Sequence, residues 1–461
     1  MPLISAFNRH QISFSCLEDS IDSENIVRFL DAYVDSLDLA ELDFVLAQDS
    51  VEGRPAFASS VFLKLYLYGY FNGIRSSRRL EKECHRNVEV HWLLGNLKPN
   101  YHSIADFRKV NPVALKKVFT SCVLFLQDLD LIGGKVIAVD GTKIRASNSK
   151  KNNYNPKKIE RHLAYIETKT AEYLTELDAN DAKEKPEKVR KIQEKIERLK
   201  TNKAKCEGFS KTLEESGEPQ VSTTDPDSRA LLVHGQVVEV CYNSQAAVDQ
   251  KHKLVVATHT INRNDRNALS DIALEAKENI KAEVDLTVLA DKGYHSGLEL
   301  KKTQEAGIRT IVATPQVVNT NEGGTQPDYM YTHFSYDEQA DTYTCPEGKV
   351  MQTTGTWHKK SSRNVAHLFK KYRTPACKTC PVHHLCTGRA DSRREIERSE
   401  FAKYVEKNAD NYKANPKLYR ERQEMNEHIF GTIKRQWGYN HTNLRGLEKV
   451  NGEIALIRRR L

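Results

Sequence analysis

The sequence predicts an α/β protein: a mixed sheet with a charged helical insertion, preceded by an all-α N-terminal domain. Helically spaced apolar residues dominate the first 125 positions. From residue 130 onward, short buried-strand patterns alternate with helical ones, which is typical of an α/β sheet. The predicted units are a helical domain (1–125), a sheet domain (130–315 with 416–461), a charged helical insertion (150–220) and an irregular insertion (316–415).

The N-terminal region is predicted to hold several short helices. Apolar residues recur at helical spacing over 26–37, and the run 61–70 is apolar enough for a buried helix. Ser76 or Ser77 is placed to cap a following helix, and a third helix is expected over 102–108.

Arginines stand at the junctions of these short helices, among them Arg78 and Arg79. Such a pattern suits a DNA-binding module of the helix-turn-helix kind, and both side chains are candidate DNA contacts. An ordinary helical bundle with a solvated basic face fits the same pattern, so both interpretations stand.

The sheet domain is predicted from buried-strand patterns that alternate with helices. The first strand, 136–140, ends in Asp140-Gly141 and is followed by the charged stretch, which we interpret as a protruding helical hairpin. Further elements are strands at 237–242, 254–258, 285–291 and 308–313, and helices over 268–280, from Gly297 and over 418–437.

Composition sets mild limits on function. Lysine and arginine exceed aspartate and glutamate by 70 to 62, giving a net charge of +8 that is compatible with nucleic-acid binding but does not demand it. No apolar run approaches the roughly 20 residues that span a bilayer, and the first residues carry no signal pattern. We therefore predict a cytoplasmic protein.

Three carboxylates are candidates for metal chemistry. Asp140 and Asp291 each follow an apolar strand and stand next to or near a glycine, at the edge where open sheets place ligands. Glu427 lies on the last helix, one stripe of which also carries Lys434. Alone, each aspartate is more typical of a turn or helix cap, and Glu427 of a solvated ion pair. Together, three carboxylates can hold Mg²⁺ for phosphodiester chemistry.

Three motifs carry a family resemblance. They are Val139-Asp140-Gly141-Thr142-Lys143, then Ala290-Asp291-Lys292-Gly293-Tyr294, and then Tyr419, Arg422, Glu427 and Lys434 in order along one helix. The chain resembles the DDE transposases of bacterial insertion sequences, with further similarity over 225–229 and 242–249. Four residues separate Arg422 from Glu427 where the usual pattern has three, so Glu424 stays a second candidate for the third acid.

The resemblance implies an RNase H-like catalytic domain in which Asp140, Asp291 and Glu427 hold Mg²⁺ or Mn²⁺. It implies hydrolysis at the element's ends and strand transfer into target DNA, with double-stranded DNA, both terminal inverted repeats and target, as the partner. Lys434 and Arg422 become candidate DNA contacts. A homodimer that acts on the bacterial nucleoid is expected. The stop at Leu461 suggests a truncated copy, since relatives typically end in a longer helical tail.

Two other functions fit the same residues. One is a metal-dependent nuclease of the same fold that cuts DNA without joining it. The other is a DNA-binding remnant without catalysis. Short inverted repeats flanking the gene would support mobility directly.

A cysteine cluster in the second insertion is a candidate zinc site. Cys377, Cys380 and Cys386 are closely spaced around His383, and Cys345 precedes them. Four thiolates at such spacing suit tetrahedral structural Zn²⁺, with His383 or His384 as a substitute ligand. Reduced, unligated thiols are the alternative. Nearby Arg389, Arg393, Arg394 and Arg398 would form either a DNA-facing patch or a solvated surface.

Overall fold

The computed structural model describes residues 10, 12, 14–45, 55–181, 186–233, 237–281, 285–315, 325–362, 365–387 and 393–458. Arg389 and residues 459–461 lie outside these described residues. Within the described part, none of the helices is both long and apolar enough to cross a membrane.

The N-terminal region is helical, as predicted. Asn25, Asn87 and Asn100 begin three of its helices by accepting backbone N–H groups of the first turn. Ser76 precedes another helix, although its hydroxyl makes no capping hydrogen bond. The described helices of this region are α1 (Ile26–Asp35), α2 (Ser59–Phe71), α3 (Ser77–Arg86), α4 (Val88–Leu93), α5 (Tyr101–Val110) and α6 (Pro112–Asp128).

The central sheet is mixed, as predicted. Its strands, in spatial order, are β4 (Arg229–Val233), β5 (Val237–Asp249), β1 (Val136–Arg145), β7 (Thr287–Ala290) and β8 (Arg309–Val312), and β6 (Val255–Ile261) also pairs with β5. β1 runs antiparallel to β5 and parallel to β7, which is in turn parallel to β8. The first strand is longer than its apolar run predicts, because β5 pairs with it as far as Arg145.

Helices surround this sheet and join it to the N-terminal region. They are α9 (Leu269–Asn279), α10 (Gly297–Glu305), α12 (Ala402–Ala414), α13 (Pro416–Gly431) and α14 (Leu447–Arg458). α14 packs between α6 and β6, so one continuous core includes both the N-terminal helices and the sheet. Asp227 accepts the Leu447 N–H at 2.7 Å and so caps the start of α14.

The charged stretch forms the predicted helical hairpin. Its helices are α7 (Pro156–Asp181) and α8 (Pro186–Ser216), and the short strands β2 (Asn153–Tyr154) and β3 (Val221–Ser222) pair at its base. Ile159, Ile166, Cys206 and Leu213 form a thin core between the helices.

The second insertion was predicted to be irregular, and this prediction is wrong. It folds into an antiparallel sheet with a short helix, α11 (His383–Cys386). These strands show no clear period-2 pattern in the sequence because polar and charged residues occupy most of their positions. They are β9 (Ser335–Asp337), β10 (Thr342–Thr344), β11 (Val350–Thr353), β12 (His358–Ser362), β13 (Val365–Arg373) and β14 (Ile396–Ser399).

Candidate active site and its relatives

The two predicted aspartates lie side by side on neighbouring parallel strands. β1 and β7 pair in register from Val136↔Thr287 to Ala138↔Leu289, an offset of 151 residues (287 − 136). Continuing that offset places Asp140 level with Asp291, two residues beyond the last pair. Asp140 lies within β1 and not at its end, but it lies just past the point where β7 stops. The sheet therefore brings the two carboxylates together.

Asp291 also has a local structural role. Its Oδ1 accepts the Gly293 N–H at 2.8 Å and so begins the short helical turn Lys292–Tyr294. The cap fixes the carboxylate at the end of β7.

Asp140 lies in an environment short of positive charge. Burial raises its pKa from 3.8 to about 6, against the lowering effects of the Gly141 N–H and the Arg422 guanidinium. Asp291 and Asp265 raise this pKa further. Arg422 Nη1 lies 3.7 Å from Asp140 Oδ2, a long ion pair. The group is thus a cluster of carboxylates with incomplete compensation by cations.

Asp265 is a third carboxylate at this site that the sequence analysis missed. It follows β6 and accepts hydrogen bonds from Asn243 (2.7 Å) and Gln245 (2.8 Å) of β5. Lys143 Nζ lies 3.3 Å from its Oδ2. The one available signal was the polar run Asn243–Gln245 in a buried strand, since buried polar side chains need partners.

Gly141 leaves room for the Asp265 carboxylate, which packs against the backbone of β1. A Cβ at this position would lie 2.5 Å from Asp265 Oδ1 and 2.8 Å from Asn243 Oδ1. The polar network of Asp265 therefore packs directly on the backbone next to Asp140.

The third predicted carboxylate stands on a helix that packs over these strands. α13 contacts β1, β5 and β7, and Met425, Asn426 and Ile429 form its buried face. Glu427 is exposed, five residues after Arg422 and so about 140° around the helix from it. Arg422 thus joins the aspartates, whereas Glu427 lies on a flank of the same helix.

Asn426 is fully buried on the face of α13 that meets the sheet. In the described part of the chain, neither its Oδ1 nor its Nδ2 has a hydrogen-bond partner. Orphaned buried polar atoms of this kind occur where a site takes up a further polar group.

The predicted DNA contacts lie at different places. Lys434 belongs to the π-helical segment Thr432–Gln436 that continues α13, and burial, with Lys143 as a further cause, lowers its pKa. π-segments often mark functional sites. Arg78 and Arg79 are exposed on α3, where the Arg78 guanidinium lies 4.8 Å from the Tyr101 ring centroid.

The four predicted cysteines of the second insertion come together. Cys345, Cys377, Cys380 and Cys386 all line one small cavity, as does His383. Burial raises the pKa of the Cys386 thiol, and the other three thiols raise it further. Over the ranges that the structure describes, no group of three or more His, Cys, Asp or Glu side chains is arranged so as to hold a metal ion as it stands.

Two family models match the chain. Residues 15–110 match the model described as Transposase domain (DUF772), and residues 344–458 match the one described as Transposase DDE domain. No curated protein and no solved structure was found to match. The first match covers helices α1 to α5. The second covers the four clustered cysteines, α12 and α13, but it begins after Asp140 and Asp291. The chain thus carries transposase domains. Together the two matches support a DDE-type transposase of insertion sequences.

Proposed function

We propose that this transposase cleaves DNA at the ends of its element and joins the freed 3′-hydroxyls to target DNA. The observation that carries the proposal is the level placement of Asp140 and Asp291 on adjacent parallel strands, under a helix that bears Arg422 and Glu427. The strand order, with antiparallel β6, β5 and β1 followed by parallel β7 and β8, supports an RNase H-like catalytic domain.

The donor set fits a hard divalent cation, Mg²⁺ or Mn²⁺. Carboxylate oxygens are the ligands such ions prefer. Burial and the neighbouring carboxylates raise the pKa of Asp140. A bound cation would lower this pKa by stabilising the charged carboxylate. We assign Asp140, Asp291 and Glu427 as the holders of the metal. Glu427 reaches this group only by a side-chain or helix adjustment, because it is exposed on the flank of α13.

Bound divalent metal would supply activation of the attacking oxygen and stabilisation of the leaving oxygen. The chain's own residues provide the frame for this chemistry. Asp265 fixes Lys143 and the Gly141 backbone beside Asp140. Arg422 and Lys434 are cations on one helix that can orient phosphates of the DNA backbone.

The N-terminal helices are the proposed DNA-recognition region, with Arg78 and Arg79 on the exposed side of α3. Double-stranded DNA is the partner, as terminal inverted repeats and as target. Because two element ends must be held together, we propose a homodimer acting on the nucleoid in the bacterial cytoplasm. The reaction needs no Zn²⁺, so the cysteine site is a separate proposal with its own test.

Nicking of supercoiled DNA carrying the element's inverted repeats, with Mn²⁺ added, tests the proposal. Wild-type protein should nick, and Asp140→Ala should lose activity by at least about 10³-fold because a metal ligand is removed. Asp285→Ala is the matched control, since Asp285 is an exposed aspartate at the opposite end of the same strand region. Equal nicking by wild type and Asp140→Ala would favour a contaminating nuclease or an inactive remnant.

A second assay with a pre-cut end separates the transposase from a nuclease of the same fold. The proposed function predicts that the 3′-hydroxyl of the pre-cut end becomes joined to target DNA. Cutting without joining, under conditions where nicking is Asp140-dependent, would contradict strand transfer and leave hydrolysis alone.

A further inference from the structure

The cysteine-lined cavity is too small for a small-molecule ligand. Its volume is about 30 Å³, which leaves room for an ion or about two waters. The four cysteines reach it from three separate segments: the turn after β10, the short helical segment Pro375–Thr379 with Cys380 after it, and α11. Cys345 lies more than 30 residues before the other three cysteines, so the fold and not the local chain brings the fourth thiol to this point.

The turn that carries Cys345 already presents its sulfur as a hydrogen-bond acceptor. The Lys349 N–H points at Cys345 Sγ over 3.3 Å. Gly348, with φ of 71°, allows the tight turn, and its N–H donates to the Cys345 carbonyl at 2.9 Å. A backbone N–H directed at sulfur stabilises a thiolate more than a neutral thiol.

Arg394 supplies positive charge on another wall of the same cavity. Its Nη1 donates to the Cys386 carbonyl at 3.5 Å. Its Nε is buried and has no hydrogen-bond partner within the described residues. Zn²⁺ with four thiolates carries two net negative charges, so this guanidinium would both offset that charge and gain an acceptor.

The surrounding sheet has a small hydrophobic core. Its buried apolar residues are Phe334, Tyr343, Met351, Tyr372 and Ile396, against which Cys345 and Cys386 pack. Such small cores are usually supplemented by a disulfide or a structural metal. All nine cysteines of the described part are free thiols.

We propose that Cys345, Cys377, Cys380 and Cys386 bind one structural Zn²⁺ that fastens the β10–β11 turn to the connection between β13 and β14. His383 also lines the cavity, but its Nε2 lies 3.5 Å from the Thr387 hydroxyl, and His384 is not among the lining residues. The four thiolates are therefore the ligand set. Binding draws the sulfurs inward to the Zn–S distance of about 2.3 Å. The proposal is independent of the transposition chemistry.

Zinc content of the full-length protein, purified without chelator and measured by elemental analysis, tests the proposal. Wild type should hold about one zinc per chain, and Cys377→Ser and Cys386→Ser should lose nearly all of it. Cys16→Ser is the matched control, because Cys16 is an exposed cysteine outside the cluster, and it should retain the metal. His383→Ala should also retain it.

Cobalt substitution covers the case in which a serine variant fails to fold. Wild-type protein reconstituted with Co²⁺ should show the intense thiolate-to-cobalt charge-transfer absorption of a tetrahedral site. The proposal is overturned if wild type binds neither metal, if Cys377→Ser keeps its zinc, or if His383→Ala loses zinc as fully as Cys377→Ser. Loss of zinc with unchanged Asp140-dependent nicking would leave the proposed function intact.

Discussion

Replacing Gly141 by alanine perturbs the packing beneath the aspartates without removing any charged group. The new Cβ would lie 2.5 Å from Asp265 Oδ1, whereas ordinary contact begins at 3.4 Å, so the carboxylate must retreat by about 0.9 Å (3.4 − 2.5). Asn243 and Gln245 hold that carboxylate by hydrogen bonds, so the strain spreads into β5. Overpacking of this kind costs about 1–3 kcal/mol. A shift of about 1 Å near Asp140 should slow nicking about 10²-fold.

Urea unfolding followed by circular dichroism and Mn²⁺-dependent nicking together measure the effect of Gly141→Ala. Gly208→Ala is the matched control, because a Cβ at Gly208 in α8 meets nothing within 4 Å. That helical substitution should stabilise the hairpin by about 1 kcal/mol and leave nicking unchanged. Unfolding of Gly141→Ala at the wild-type urea concentration, together with nicking at the wild-type rate, would show that a Cβ fits beside Asp265 without strain.

Three other substitutions test particular contacts. Folded Asp140 keeps its proton to a higher pH than the unfolded carboxyl does, so metal-free protein loses stability as pH rises from about 4 to about 6. Asp140→Asn should remove this loss and so raise the free energy of unfolding at pH 7 by at most about 3 kcal/mol, with no gain at pH 4. Equal effects of the substitution in urea melts at both pH values would contradict this expectation. Asp227→Ala should cost about 0.5–2 kcal/mol in the same melts by uncapping α14 at Leu447, and an unchanged midpoint would argue against the cap. Arg458→Met should cost more than about 2 kcal/mol because it strands the buried Ser244 carbonyl and hydroxyl, and wild-type stability would show that these bonds contribute little.

Local apolar patterns were enough to predict most of the central domain. The run 136–140 became the start of β1, and the strand before Asp291 became β7, because a buried parallel strand leaves a continuous apolar signature. The two aspartates that follow such strands were predicted to share a site, and the register of β1 and β7, when continued, places them level with each other.

What could not be predicted depends on contacts between segments distant in sequence. Asp265 reaches the site through hydrogen bonds from β5, and nothing local distinguishes it from other loop aspartates. The rotation of α13, which directs Arg422 toward Asp140 and leaves Glu427 exposed, is set by the burial of Met425 and Ile429. The sheet of the second insertion has too few apolar residues to leave a period-2 pattern.

The identity of the third metal-holding carboxylate is the other point that the sequence left open, between Glu427 and Glu424. Both are exposed on α13, so helix geometry alone does not choose between them. The motif order favours Glu427, and a binding measurement can decide.

Titration of Mn²⁺ into the protein, with free ion followed by electron paramagnetic resonance, tests most directly whether three carboxylates share a divalent cation. Asp140→Asn, Asp291→Asn and Glu427→Gln should each weaken binding by about tenfold or more, while Asp285→Asn and Glu424→Gln should bind as wild type does. Wild-type affinity in Glu427→Gln, together with weakened binding in Glu424→Gln, would assign the third metal ligand to Glu424. Undiminished binding in both aspartate variants would contradict the site itself.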